Sequence, residues 1–181
     1  MKYSLEQLIA SNCVNKFLFF WGNQPSKDGV ITKSCLSQWW ISPFVENGIT
    51  YKSAEHWMMA KKAELFNDLE IVEKIIQANS AAEAKKLGRE VKNYKDSVWL
   101  ENRYRIVKQG NMFKFSQNQD LKEFLINTKE RILVEASPVD SIWGIGMAAD
   151  HQDIQNPEKW QGMNLLGFAL MEVRDELIEY N

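Results

Sequence analysis

From Ala54 to Thr128 the chain carries one helical pattern after another, and everything that reads as strand is short. Ser53 is a good N-cap for a helix over Ala54 to Leu65. Ile71, Val72, Ile75 and Ile76 give helical spacing to Leu69–Ala78. Ser80-Ala81-Ala82-Glu83 is a capping box, with Gly88 as the expected C′ stop. Asp96 to Phe115 is the longest pattern; Trp99, Arg103, Ile106, Val107 and Gly110 fall near one stripe. Asp120–Thr128 and Leu165–Ile178 are further helices. The strand signals are Phe17 to Trp21, Leu36 to Phe44, Ile49 to Tyr51 and Ile132 to Ala136, with Asn47-Gly48 suiting a hairpin turn. Gly22 to Ser34 reads as a polar loop, and Val139 to Trp160 as irregular. No repeat or linker divides the chain. These patterns predict a single α+β domain over 1–181, mostly helical with a few short strands, its core at about 17–178.

At 181 residues a core needs no staple, and the apolar (45%) and charged (25%) fractions are ordinary for a globular protein. The formal net charge of -2 gives no overall basic field for duplex nucleic acid, but leaves room for a local phosphate pocket. Cys13 and Cys35 form no CxxC pair and the two histidines lie far apart, which argues against a zinc site or a disulfide framework. No secretory signal opens the chain and no stretch approaches a membrane span, so a cytoplasmic setting without membrane partners is expected. The seven Trp residues suit either a core or a stacking pocket for a flat ring.

Four constellations can carry chemistry. Glu55, in Ser53-Ala54-Glu55-His56-Trp57, falls in the first turn of a helix, where the dipole favours a carboxylate. That stabilising charge is one reading. The other is a general base, or an anion facing the cationic sugar formed when an N-glycosidic bond breaks. His56 points about 100° away from Glu55 and reads as a core or hydrogen-bonding residue. Lys62, seven residues after Glu55, lies near the same face and is either a solvated lysine or a phosphate contact. In Asp140-Ser141-Ile142-Trp143-Gly144-Ile145-Gly146, glycines allow close backbone approach and Trp143 can stack on a base. Asp140 there can hold a ribose hydroxyl, or simply cap a tight turn. Without a third glycine and a following helix, the segment does not support a dinucleotide fold. Trp99 is core or stacking platform, with Arg103 one turn further on the same side.

These segments, taken in order, resemble the motifs of the NADAR family. The resemblance rests on Ser53 to Ala63, Leu87-Gly88-Arg89, Trp99, Asp140 to Gly146 and Asn164 to Arg174, with Phe20-Trp21 and Leu36-Ser37-Gln38-Trp39 matching the family's opening strand-loop-strand. It implies a YbiA-like N-glycosidase domain needing no metal or other cofactor. It also implies a substrate: either riboflavin-pathway ribosylaminopyrimidine phosphates or ADP-ribosylated guanine, the latter in nucleic acid. Glu55 falls on the family's essential glutamate, and Asp140 is the second catalytic candidate. Trp21, Lys62, Arg89, Trp99, Arg103, Trp143, Gly144, Gly146 and Asn164 fall on or near its substrate-binding positions. Two departures stand out: Ile145 replaces an acidic residue of the riboflavin-type enzyme, and Gln38-Trp39 replaces a more usual Asn-Phe pair. The alternative from another class is a non-catalytic ADP-ribose-binding sensor.

Overall fold

The computed structural model describes residues 1–11 and 16–179; Cys13 lies outside them. The fold is α+β. The chain divides into two compact units, one built from residues 1–37 and 120–181, the other from Gln38–Gln119.

The Gln38–Gln119 unit begins with a hairpin of β2 (Phe44–Glu46) and antiparallel β3 (Ile49–Tyr51). Asn47 and Gly48 turn it with φ of 50° and 79°, the positive values an Asn-Gly turn supplies at low cost. Four helices follow: α2 (Ala54–Leu65), α3 (Leu69–Gln77), α4 (Ala81–Arg89) and α5 (Asp96–Gln117). Helix α2 packs against α3, α4 and α5. Surrounded in this way, it is buried almost all round and lacks the one-sided apolar stripe of a surface helix. Its anchor is Trp57, whose Nε1–H donates to the Ile106 carbonyl at 2.9 Å. The Trp57 ring meets Tyr51 and Phe113 edge-on at 5.1 and 5.2 Å between centroids.

In the other unit, β1 (Phe17–Phe20) pairs in parallel with β4 (Ile132–Glu135), Phe17 opposite Ile132. A parallel pair needs a long crossover, and 111 residues separate Phe20 from Ile132. Helices α1 (Leu5–Ala10), α6 (Gln119–Ile126) and α7 (Leu165–Glu179) complete the unit, α6 beginning one residue before the boundary. α7 packs on β4 so closely that a Cβ on Gly167 would lie 2.0 Å from the Leu133 carbonyl oxygen. Ten consecutive residues of α7, from Leu165 to Arg174, are buried. Arg174 is held by donating to Thr128 Oγ1 at 2.9 Å and to the Arg131 carbonyl at 2.8 Å.

Two expectations are corrected, and one helix is new. Leu36 to Phe44 is not a strand: Lys33–Leu36 is a 3-10 turn, and β2 begins only at Phe44. Its aromatic residues serve burial: Trp40 is core outside any strand, and only Phe44, at the end of the stretch, is both core and paired in a ladder, opposite Tyr51. Gly88 does not stop α4 but lies inside it, where a Cβ would meet Met59 Sδ at 2.1 Å; its role is close helix packing. Helix α1 had no signal singled out in the sequence; Ser4 caps it, its hydroxyl accepting from the Gln7 amide at 3.2 Å.

Candidate active site

Glu55 sits in the first turn of α2 and is 2% exposed. Ser53 makes the turn, in extended conformation, its hydroxyl accepting from the His56 amide. The Glu55 amide donates to the Gln38 carbonyl at 3.0 Å, so the segment before the hairpin fixes where the helix begins. Burial makes a carboxylate costly as a mere surface charge, while the helix N-terminus offsets part of that cost.

His56 is a structural residue, as its position beside Glu55 implied. Its Nδ1 lies 2.8 Å from Ser53 Oγ and its Nε2 3.2 Å from the Ala78 carbonyl. A carbonyl only accepts, so Nε2 bears the proton and the serine hydroxyl donates to Nδ1. Burial lowers the pKa of His56 and favours this neutral form.

At the C-terminal half of α2, Lys62 is half-buried and donates to the Gly88 carbonyl at 2.7 Å. Its Nζ stands 4.5 Å from the Tyr94 ring centre and 5.8 Å from that of Trp99. Burial, then the charge of Arg89, pulls the lysine below its ordinary pKa, against the pull of Asp96. Trp99 is 9% exposed, a wall rather than an open platform. Arg89 is exposed and Arg103 half-exposed. The Tyr94 hydroxyl donates to Asp96 at 2.6 Å, and burial together with that carboxylate raises its pKa to about 12. Lys62, on the helix that Glu55 opens, thus meets Tyr94 from the α4–α5 connection and Trp99 from α5, with the Arg89 charge at the end of α4, in a cationic, aromatic cluster. Seven residues separate Glu55 from Lys62, a rise of about 10 Å along one face. Sequence reasoning missed Tyr94; its only local signal is an aromatic between Lys92 and Lys95.

In the other unit, Asp140 Oδ1 accepts from the amides of Ile142 and Trp143 at 2.9 and 2.8 Å, the tight-turn cap that was one of its two readings. The turn is laced to the segment before α7: Gln161 N–H donates to Ile145 O, Asn164 N–H to Gly144 O and Leu166 N–H to Trp143 O. Gly144 and Gly146 allow this lacing. A Cβ on Gly144 would lie 2.7 Å from the Glu135 carbonyl, and Gly146 has φ +66°. The amides of Ile145 and Gly146 donate within the protein, to Glu135 O and Asp140 O. Ile145 is fully buried in an apolar cluster with Val134 and Trp160. Asn164, also at positive φ, clamps β4 with both ends of its amide, accepting from Glu135 N and donating to Leu133 O. Trp143 is half-buried, and Trp21, just beyond β1, is 55% exposed. Among the described residues no three His, Cys, Asp or Glu side chains gather as a metal would require. No helix among them is long and apolar enough to cross a membrane.

Comparison with known proteins places this arrangement. The NADAR domain family matches residues 19–178. This chain belongs to the NADAR family. An N-glycosidase of Acanthamoeba polyphaga mimivirus is 44% identical over 168 residues, covering 90% of this chain and 96% of its own. A riboflavin biosynthesis protein of Vibrio vulnificus is 29% identical over 99% of this chain and 44% of its own length. The NMR structure of YbiA from Escherichia coli superposes with a TM-score of 0.73 at 24% identity, over 93% of this chain and 88% of the other. That match shows the shared fold. The near full-length likeness to a named N-glycosidase puts this NADAR chain among the glycosidase enzymes.

Proposed function

We propose that this NADAR protein hydrolyses the C1′–N bond of a phosphorylated ribosyl substrate, with Glu55 as the central catalytic group. The observation that carries the reading is the buried Glu55 carboxylate at the start of α2, on the same helix as Lys62, whose amine stands against Tyr94 and Trp99. Breaking the bond leaves positive charge on the ribose, and an anion held in a shielded position stabilises it or takes a proton from water. Lys62 supplies the charge for a phosphate, with Arg89 and Arg103 as further cations of the same unit. The family resemblance assigns contacts with base or ribose to Trp99, Trp143 and Trp21, and the orienting of ribose or water to Asp140. Gly144, Gly146 and Asn164 shape the backbone around Asp140 and Trp143.

Two substrates share this chemistry. A ribosylaminopyrimidine phosphate is supported by the name of the Vibrio relative. ADP-ribosylated guanine presents the same C1′–N bond beside phosphate, and a flipped base requires little protein surface. Ile145 weighs against the first, since a core isoleucine occupies the position where the riboflavin-type enzyme has an acid.

The test is turnover of both compounds, side by side, by the wild type and by Glu55→Gln. Hydrolysis by the wild type and a loss of about 10²–10⁴-fold in folded Glu55→Gln is the expected result. Near wild-type turnover by Glu55→Gln removes Glu55 from its role. Hydrolysis of neither compound, with ADP-ribose still bound, identifies a sensor.

A further inference from the structure

Two buried side chains, one of them on the residue whose backbone carbonyl meets the Glu55 amide, have no place in the chemistry described so far. Gln38 is 6% exposed and Asn111, in the middle of α5, is fully buried. Asn111 Nδ2–H donates to Gln38 Oε1 at 2.7 Å and to the Val107 carbonyl at 2.9 Å. The Gln38 carbonyl in turn accepts from the Glu55 amide at 3.0 Å. The two amides are joined through one arm of each. The other arms, Gln38 Nε2 and Asn111 Oδ1, are closed off from bulk solvent and reach no hydrogen-bonding group of the protein.

Fold stability gives no reason to keep such a pair. Two apolar side chains of similar shape would fill the space without a buried donor and acceptor to satisfy. A half-satisfied buried pair therefore asks for a ligand. The open arms offer the NH2 of Gln38 and the oxygen of Asn111, in a place shielded from bulk solvent. The smallest group that satisfies both is a water molecule, which accepts from Gln38 Nε2–H and donates one O–H to Asn111 Oδ1.

We propose that Gln38 and Asn111 hold the water that is consumed in the hydrolysis. The inference rests on the glycosidase reading of Glu55. With one lone pair and one O–H fixed by the two amides, the water keeps one lone pair for C1′ and one O–H for Glu55. Its oxygen forms the new C1′–O bond as the C1′–N electron pair leaves with the base. Its proton passes to the Glu55 carboxylate and from there to the departing nitrogen, which restores the carboxylate, so atoms and charge balance. A donor and an acceptor together select the water's orientation, which a single carboxylate does not.

The double variant Gln38→Met/Asn111→Leu tests this against the wild type and Glu55→Gln. Three results are expected together: a melting temperature equal to or above wild type, a kcat lower by about 10²-fold, and an unchanged KM. In methanol–water mixtures the ratio of methyl riboside to free ribose should rise in the variant, because the C1′ cation then meets unselected solvent. An unchanged kcat overturns the proposal. So does a loss carried by KM with altered base preference, which would put the amides on the base. Should the double variant not fold, Gln38→Glu keeps an acceptor for Asn111 Nδ2 and replaces the donor, and the same kcat, KM and methanolysis criteria apply. Absence of hydrolysis by the wild type itself refutes the glycosidase reading instead, which separates the two failures.

Discussion

Gly110 makes a sharp claim about how the Glu55 helix is held. It faces Trp57 from α5, and a Cβ there would lie 2.3 Å from Trp57 Cδ1 and 2.7 Å from Nε1. The indole cannot swing aside: Tyr51 and Phe113 confine it edge-on, and its N–H is bonded to the Ile106 carbonyl. In an exposed helix Gly→Ala stabilises by about 1 kcal/mol. Here the overpacking costs about 1–3 kcal/mol, and displacing the indole from its buried carbonyl costs about 1–3 kcal/mol more. The balance for Gly110→Ala is a loss of about 3 kcal/mol, or roughly 6–12 °C in melting temperature for a chain of this size. Thermal and urea unfolding followed by Trp fluorescence would measure it. Gly88→Ala is the control. Its Cβ would meet the Met59 thioether, an unbranched chain able to shift, so its loss should stay below about 1.5 kcal/mol. In a Trp57→Phe background, which removes the pyrrole atoms in question, Gly110→Ala should become much milder. A Gly110→Ala protein as stable as wild type, or equal additivity in both backgrounds, would refute the close-approach argument.

Other predictions follow from the same geometry. Asp140→Ala leaves the Ile142 and Trp143 amides without their carboxylate, and should cost about 1–2 kcal/mol in urea unfolding; Asp140→Asn, which keeps the accepting oxygen, should recover most of it. His56 is neutral in the fold with its pKa depressed by burial, so the unfolded chain binds the proton more readily. Its contribution is fully present above the unfolded value of about 6.5 and is lost as pH falls through the lower folded value; a His56→Gln protein should show a flatter stability profile across that window. Lys62→Met should weaken ADP-ribose binding by calorimetry. In the wild type that affinity should decline on the alkaline side before an ordinary lysine would titrate, because burial and Arg89 lower the Lys62 pKa.

Much of the architecture is local and hence visible in the residues. Ser53, Ser80 and the Asn47-Gly48 turn work through neighbours three or four positions away, so caps and hairpin fall where the patterns put them. The aromatic stretch from Leu36 to Phe44 misled because burial and strand formation share a composition, and only a ladder partner separates them. Gly88 misled similarly: a glycine near a helix end signals a stop, but a packing glycine looks the same until Met59 is seen opposite it. Asn111 carries no signal of its own in the sequence, because its partner Gln38 lies 73 positions away.

For Glu55 the division is clear. The sequence alone determined that a carboxylate follows a serine cap at the start of a helix, since both facts are local. Tertiary structure decided the rest. It buried that carboxylate to 2%, set the Lys62 amine against Tyr94 and Trp99, and brought an amide pair with open arms to the helix start. The Gln38–Asn111 hydrogen bond joins residues 73 positions apart. No local pattern reports such contacts, because the free energy that forms them arises only when helices pack.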